Sequence, residues 1–162
     1  MADSPSPSPL QHFPKADHRA YGDLPFVEFM PGVDMQLLHI DVEAGLWVVR
    51  IRFAAGVTIP THKHTGEVLA LTSSGSWRYL EYPELNTAGS YLFEPAGSVH
   101  TLHVPASNTE VTEAWFAIRG ANLNVDENGE VMSVWDAGFI RDEYLRLCRE
   151  AGHPIPPVLG LT

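Results

Sequence analysis

The sequence predicts an all-β domain, a sandwich or closed barrel, finished by one C-terminal α-helix. From about Pro25 the chain runs as short apolar stretches broken by Gly, Pro, Asn and Ser, the pattern of strands and turns. Several stretches alternate apolar and polar residues with a period of two. Many short strands with regular turns indicate a sandwich or barrel. Only the segment beginning near Asp136 carries apolar residues at helical spacing.

Residues 1–24 begin Met-Ala-Asp-Ser-Pro-Ser-Pro-Ser-Pro and read as a flexible Pro/Ser tail without the basic and apolar regions of a signal peptide. Val33–Ile40 and Leu46–Phe53 are expected strands joined by a turn at Glu43-Ala-Gly45. In the second, Trp47, Val49, Ile51 and Phe53 share one face and Val48, Arg50 and Arg52 the other. Strands are also expected at His62–His64, Glu67–Thr72, Trp77–Glu81, Ser90–Phe93, His100–Val104 and Thr112–Ile118. A hairpin of Leu123–Val125 and Val131–Trp135 closes through Asp126-Glu-Asn-Gly129. Asp136 is the expected N-cap of a helix to about Glu150, turning Phe139, Ile140, Tyr144, Leu147 and Ala151 to the barrel. Gly152 and Pro154 end it, and residues 153–162 form an extended tail placed to cover a neighbouring subunit.

Composition narrows the partners. With 162 residues the chain suits one domain, here residues 25–152. A net charge of −10 argues against nucleic acid and anionic membrane surfaces. The single cysteine, Cys148, excludes an internal disulfide, fits a cytoplasmic location and reads as structural. No Gly-x-Ser-x-Gly elbow or phosphate-binding loop is present, so a metal is left to do any chemistry.

Two segments point to that metal: Gly56-Val-Thr-Ile-Pro-Thr-His62-Lys-His64 and Gly89-Ser-Tyr-Leu-Phe-Glu94-Pro95-Ala-Gly97-Ser-Val-His100. Alternation puts His62 and His64 on one face of a strand, and His100 follows a Pro-x-Gly turn near the start of another. If the strands face each other, three neutral nitrogen ligands converge, a set that suits Fe(II), Zn(II), Ni(II) or Cu(II). His103 differs from His100 by an odd offset and faces away; His12, His18, His39 and His153 belong to no motif.

Gly-x5-His-x-His followed by Gly-x5-Pro-x-Gly-x2-His resembles the paired motifs of the cupin superfamily, which implies a double-stranded β-helix barrel, or jelly roll. The metal-binding glutamate that usually follows the first motif would fall at Val68 or Leu69, and Glu67 has the wrong parity, so the resemblance is to the three-histidine branch. Within it, Trp77-Arg-Tyr79, Ala88–Leu102 and Ser133-Val-Trp-Asp136 are similar to the dioxygenases that cleave 2,4'-dihydroxyacetophenone and acetylacetone. The resemblance implies a mononuclear Fe(II) dioxygenase acting on a ketone and dioxygen, in a cytoplasmic homodimer or homotetramer. A zinc-binding regulatory cupin without turnover, as in anti-sigma factors, and a metal-dependent isomerase or hydrolase are the competing readings; the first is set back by the lack of cysteines for a separate zinc domain.

Glu94 lies an even offset before His100, and the corresponding acid in similar diketone-cleaving enzymes lies near the iron. It is read as a weak fourth ligand, an acceptor for a histidine N–H or a base toward substrate, with the expectation that it tunes the site without being required to hold the metal. Arg50, Arg52 and Arg78 either orient a polar substrate or form ion pairs. Trp77, Tyr79, Phe93, Trp115 and Phe116 are the aromatic candidates for walls of the pocket. Of these arginines and aromatics, Arg78, Tyr79, Trp77, Phe93 and Trp115 are taken as substrate-binding.

Overall fold

The computed structural model describes residues 14–161. A six-stranded antiparallel sheet forms one wall, in the order β1 (Val27–Met30), β2 (Val33–Asp41), β3 (Leu46–Phe53), β11 (Thr112–Arg119), β5 (Val68–Ser74), β8 (Tyr91–Glu94). The opposite wall combines a four-stranded sheet, β13 (Val131–Trp135), β12 (Asn122–Val125), β4 (His62–His64), β9 (Val99–His100), with a three-stranded one, β10 (Leu102–His103), β6 (Ser76–Tyr79), β7 (Asn86–Thr87). Helix α1 (Ala137–Glu150) packs against β1 and β2. The fold is the expected all-β barrel with a C-terminal helix.

Cross-strand register shows why the alternating pattern holds. Leu37, Val49, Phe116, Ala70 and Leu92 pair in turn across β2, β3, β11, β5 and β8 and face the interior. The adjacent row, Gln36, Arg50, Trp115, Leu71 and Tyr91, lies on the outer face. A slip of one residue would exchange the rows, so burial of the apolar row specifies the register.

The structure amends the expected elements in four places. β1 and β7 were not expected as strands. The expected strand His100–Val104 divides into β9, paired with β4, and β10, paired with β6. The break falls at Thr101, whose N–H donates to Glu81 (2.9 Å) and whose carbonyl accepts from Leu80 (2.9 Å). The helix buries Ala137, Ile140, Tyr144 and Cys148, leaves Phe139 and Ala151 exposed, and packs Leu147 only partly. The Tyr144 hydroxyl donates to the carbonyl of Pro25 (2.7 Å). Asp136 caps its start by accepting from the N–H of Phe139 (2.8 Å), as expected.

Residues 1–13 of the Pro/Ser tail lie outside the described residues, whereas residues 21–24 are attached: Leu24 is in the core and the Gln36 amide donates to the carbonyls of Tyr21 and Leu24. The C-terminal segment pairs with β2 of its own chain through Leu159, with Val158 buried. Among the described residues no helix is long and apolar enough to cross a membrane.

Candidate metal centre

β4 is three residues long, and its pleat buries His62 and His64 while Lys63 stays exposed. β9 pairs with β4 so that His100 stands directly opposite His62. The Pro95–Gly97 turn makes this meeting possible. Gly97 adopts φ +88°, a conformation that side chains with Cβ rarely take. Its N–H donates to the His64 carbonyl (2.7 Å), and the His64 N–H donates to the Ser98 carbonyl (3.0 Å). The two motifs are thus hydrogen-bonded to one another through their backbones.

The three imidazoles are each at most 5% exposed, and their ring centroids lie 4.9, 5.1 and 5.0 Å apart. One nitrogen from each comes within 4.8 Å of the others. Nδ1 of His62 is held by the carbonyl of Pro60 (2.8 Å), which places the proton there and leaves the Nε2 lone pair free for a metal. Burial lowers the His62 pKa to about 4; the Pro60 bond works in the other direction, and the neighbouring His64 and His100 add to the lowering. His62 is therefore neutral at physiological pH, the state a ligand requires.

Glu94, on β8, is 3% exposed and directly across from Val68 in the β5–β8 pair. Its Oε1 accepts from the Tyr79 hydroxyl (2.5 Å). Its Oε2 lies 2.9 Å from His64 Nε2 and 3.1 Å from His100 Nε2. Neither contact has hydrogen-bond geometry, and all three atoms are buried without a partner. Burial alone pushes the Glu94 carboxyl up, but the surrounding His100, His64 and Tyr79 outweigh it and hold the pKa at about 2, so the group is an anion. Buried imidazole nitrogens and a carboxylate oxygen crowd together here, an arrangement that a cation relieves. The donor set fits a divalent metal.

A cavity of about 90 Å³ adjoins the cluster. Its walls are mainly apolar, with Val49, Phe53 and Phe116 among them, and its polar groups are His62, His64, Tyr79, Glu94 and Asn122.

Residues 15–121 match the family described as ChrR cupin-like domain. The chain belongs to this cupin family. A cupin-like protein of unknown function from Ralstonia eutropha JMP134 is 34% identical, with a TM-score of 0.79, over 91% of this chain and 97% of that one. An RmlC-like cupin from the same organism is 26% identical, with a TM-score of 0.84, over 91% and 96%. An acetylacetone dioxygenase from Acinetobacter johnsonii shares the fold at 19% identity, with a TM-score of 0.73, over 91% and 99%. No curated protein matches the chain.

Of the residues read as substrate-binding, the cupin brings only Tyr79 to the cavity. Its ring stacks on His100, with centroids 3.7 Å apart and planes 15° from parallel. Trp77 is fully buried behind it, against Tyr79 and Phe116, with Nε1 donating to Thr72 Oγ1 (2.9 Å). Arg78 and Phe93 have the opposite parity from Tyr79 and Glu94 and are exposed; Trp115 sits in the outer row of the large sheet. These four do not line the pocket. Arg50 and Arg52 are engaged with Glu113 on the outer face. His103 faces away from the metal cluster, its Nδ1 against Thr58 Oγ1 (2.9 Å).

Asn122 is the residue missed by the sequence reading. It stands opposite His64 in the β12–β4 pair, is 8% exposed, and its Oδ1 is buried without a partner. The available signal was parity: extending the expected strand back by one residue from Leu123 puts Asn122 on the face of Asn124, which pairs with His62.

Proposed function

We propose that this cupin is a mononuclear Fe(II) dioxygenase that cleaves a carbon–carbon bond beside a ketone. The observation that carries the reading is the buried convergence of His62, His64 and His100 next to a small, mainly apolar cavity. Bound Fe(II) would supply a Lewis-acidic centre able to take up a chelating ketone and exchange electrons with dioxygen. The chain's own contribution is positioning and exclusion of water. The apolar walls keep bulk solvent from the reacting carbon, and the unpartnered Asn122 Oδ1 is placed to accept a hydrogen bond from a substrate hydroxyl. The Tyr79 phenol, its pKa pushed well up by burial and by Glu94, stays protonated and holds the carboxylate in place.

The reaction balances without another reductant. The substrate loses the electrons that dioxygen gains, one carbon–carbon bond breaks, and both oxygen atoms enter the two fragments. An aryl α-hydroxyketone would yield an aryl carboxylic acid and formic acid. A cavity of about 90 Å³ favours a small ketone substrate. The shared fold with an acetylacetone dioxygenase is compatible with a ketone substrate.

Protein reconstituted with Fe(II) is expected to consume oxygen on a panel of short β-diketones and α-hydroxyketones, and the Zn(II) form is not. Equal turnover with zinc would mean Lewis-acid isomerase or hydrolase chemistry instead. The match to a ChrR cupin-like family favours a regulatory domain as the second reading. Metal binding without turnover on any member of the panel would select it.

A further inference from the structure

We propose that the outer face of β5, β8 and β11 is the docking surface for a second copy of this chain, which makes the protein a homodimer. The inference is independent of the reaction assigned to the barrel. An antiparallel sheet that meets water on one side alternates apolar and polar residues. These three strands do not. Val68-Leu-Ala-Leu71, Tyr91-Leu-Phe93 and Ala114-Trp-Phe-Ala-Ile118 are continuous apolar runs, the pattern of strands covered on both faces. Their even-numbered residues face the core. On the other face Tyr91, Phe93 and Leu71 are 62%, 52% and 44% exposed, and helix α1 packs against β1 and β2, at the opposite edge of the sheet.

Strand register gathers the outward side chains into two rows. Phe93, Leu69 and Ala117 pair in turn across β8, β5 and β11, and so do Tyr91, Leu71 and Trp115. Ion pairs bracket the rows: Glu67 with Arg119 (3.5 Å) at one end of the strands, Glu113 with Arg52 (3.0 Å) at the other. An uncharged, aromatic-rich centre inside a polar rim is the anatomy of a protein–protein interface. β8 is also the edge strand of its sheet, and its outward side chains carry no charge to discourage association.

Size and charge select a second copy as the occupant. With Tyr91 and Phe93 more than half exposed, the two rows present on the order of 400 Å² of apolar surface, given the large area of aromatic side chains. That is half of the ~800 Å² that each partner buries in a stable dimer, and the bracketing polar rows supply the remainder. The chain carries a net charge of −10, so two copies repel unless they meet through a face without net negative charge. This face meets that condition: the rows are neutral, Glu67 is matched by Arg119, and Glu113 by Arg50 and Arg52. A basic partner would instead be drawn to the acidic remainder of the surface. Apolar rows without directional polar groups can lie against their own copy, as a two-fold interface requires.

Sedimentation equilibrium of the full chain at micromolar concentration reads the mass directly. Wild type should sediment at twice the 17.9 kDa chain mass. A wild-type monomer at the highest soluble concentration would overturn the proposal and leave the face to a different protein. Tyr91→Glu combined with Phe93→Glu sets like charges against one another across the interface and should weaken the dimer by at least about a hundredfold. Leu71→Ser, on the neighbouring strand, is the milder change and should cost about tenfold or more. All three positions are exposed, and far-UV circular dichroism checks that the barrel is intact; if the double variant does not fold, Leu71→Ser decides. Met132→Glu on β13, 71% exposed, is the control and should leave the dimer unchanged. Folded β5 and β8 variants that dimerise with wild-type affinity would refute the inference, and so would a dimer that only Met132→Glu dissociates.

Discussion

The barrel carries two polar clusters on opposite faces of its large sheet, and they are built on opposite principles. On the outer face Glu113 engages both Arg52 (3.0 Å) and Arg50 (3.8 Å) and bonds the Tyr21 hydroxyl. Arg50 donates to Gln36 (2.6 Å), whose amide donates to the carbonyls of Tyr21 and Leu24. Each named charge has a partner, and the product is attachment of residues 21–24 to the sheet. On the inner face His64 Nε2, His100 Nε2 and Glu94 Oε2 are more deeply buried and have no hydrogen-bond partner. Buried polar atoms left unpaired cost free energy, so they persist where a ligand completes them. Satisfaction, more than burial or charge, separates the structural cluster from the candidate site.

The sharpest way to break this contrast is to remove one member of each cluster. Alanine at His62, His64 or His100 is expected to reduce bound metal from one equivalent to nearly none, measured by elemental analysis after purification. Alanine at Glu113 should leave metal loading at one equivalent. Full loading in all three histidine variants would erase the distinction.

Acid should act on the inner cluster first. The folded pKa of His62, about 4, lies below its value of 6.5 in the unfolded chain, so the unfolded state binds the proton more readily. Stability from this group is present above pH 6.5 and is lost as pH falls toward 4, amounting to about 3 kcal/mol in metal-free protein. Glu94 is likewise depressed, and its share is lost at lower pH, from 4.5 toward 2. Urea midpoints at pH 7 and pH 4.5, with and without Zn(II), test this. A metal-free midpoint unchanged across that interval would show that His62 is not held neutral by burial.

The smallest expected effect belongs to the outer cluster. Glu113→Ala leaves Arg50 and Arg52 without their carboxylate, but these side chains are 21% and 34% exposed and water screens the loss. A destabilisation of about 2 kcal/mol is expected in urea, below the 3–5 kcal/mol typical of a broken fully buried pair. A change in metal affinity in this variant would show that the two faces are coupled.

Much of the site was legible before folding was considered. His-x-His reads as one strand face because side chains alternate, and Pro-x-Gly reads as a turn just before His100. The same parity correctly turned His103 and Glu67 away: His103 bonds Thr58, and Glu67 lies near Arg119 on the surface. The aromatics were less legible. Trp77 and Tyr79 share a face, yet only Tyr79 reaches the cavity, because Trp77 is covered by Tyr79 and Phe116. Phe93 and Trp115 are apolar but outward, since the sheet buries the row containing Leu92 and Phe116. Asn122 was hidden by a strand boundary one residue out.

The sequence by itself determined the class of fold, the faces of the individual strands and the histidines with ligand spacing, because these follow from local periodicity and backbone sterics. Tertiary structure decided which strands became neighbours: His100 opposite His62, Glu94 opposite Val68 and Asn122 opposite His64. It also decided which polar groups were left without partners. Those outcomes depend on pairings between distant segments, set by burial of one apolar row across the whole sheet, and local spacing carries no information about them.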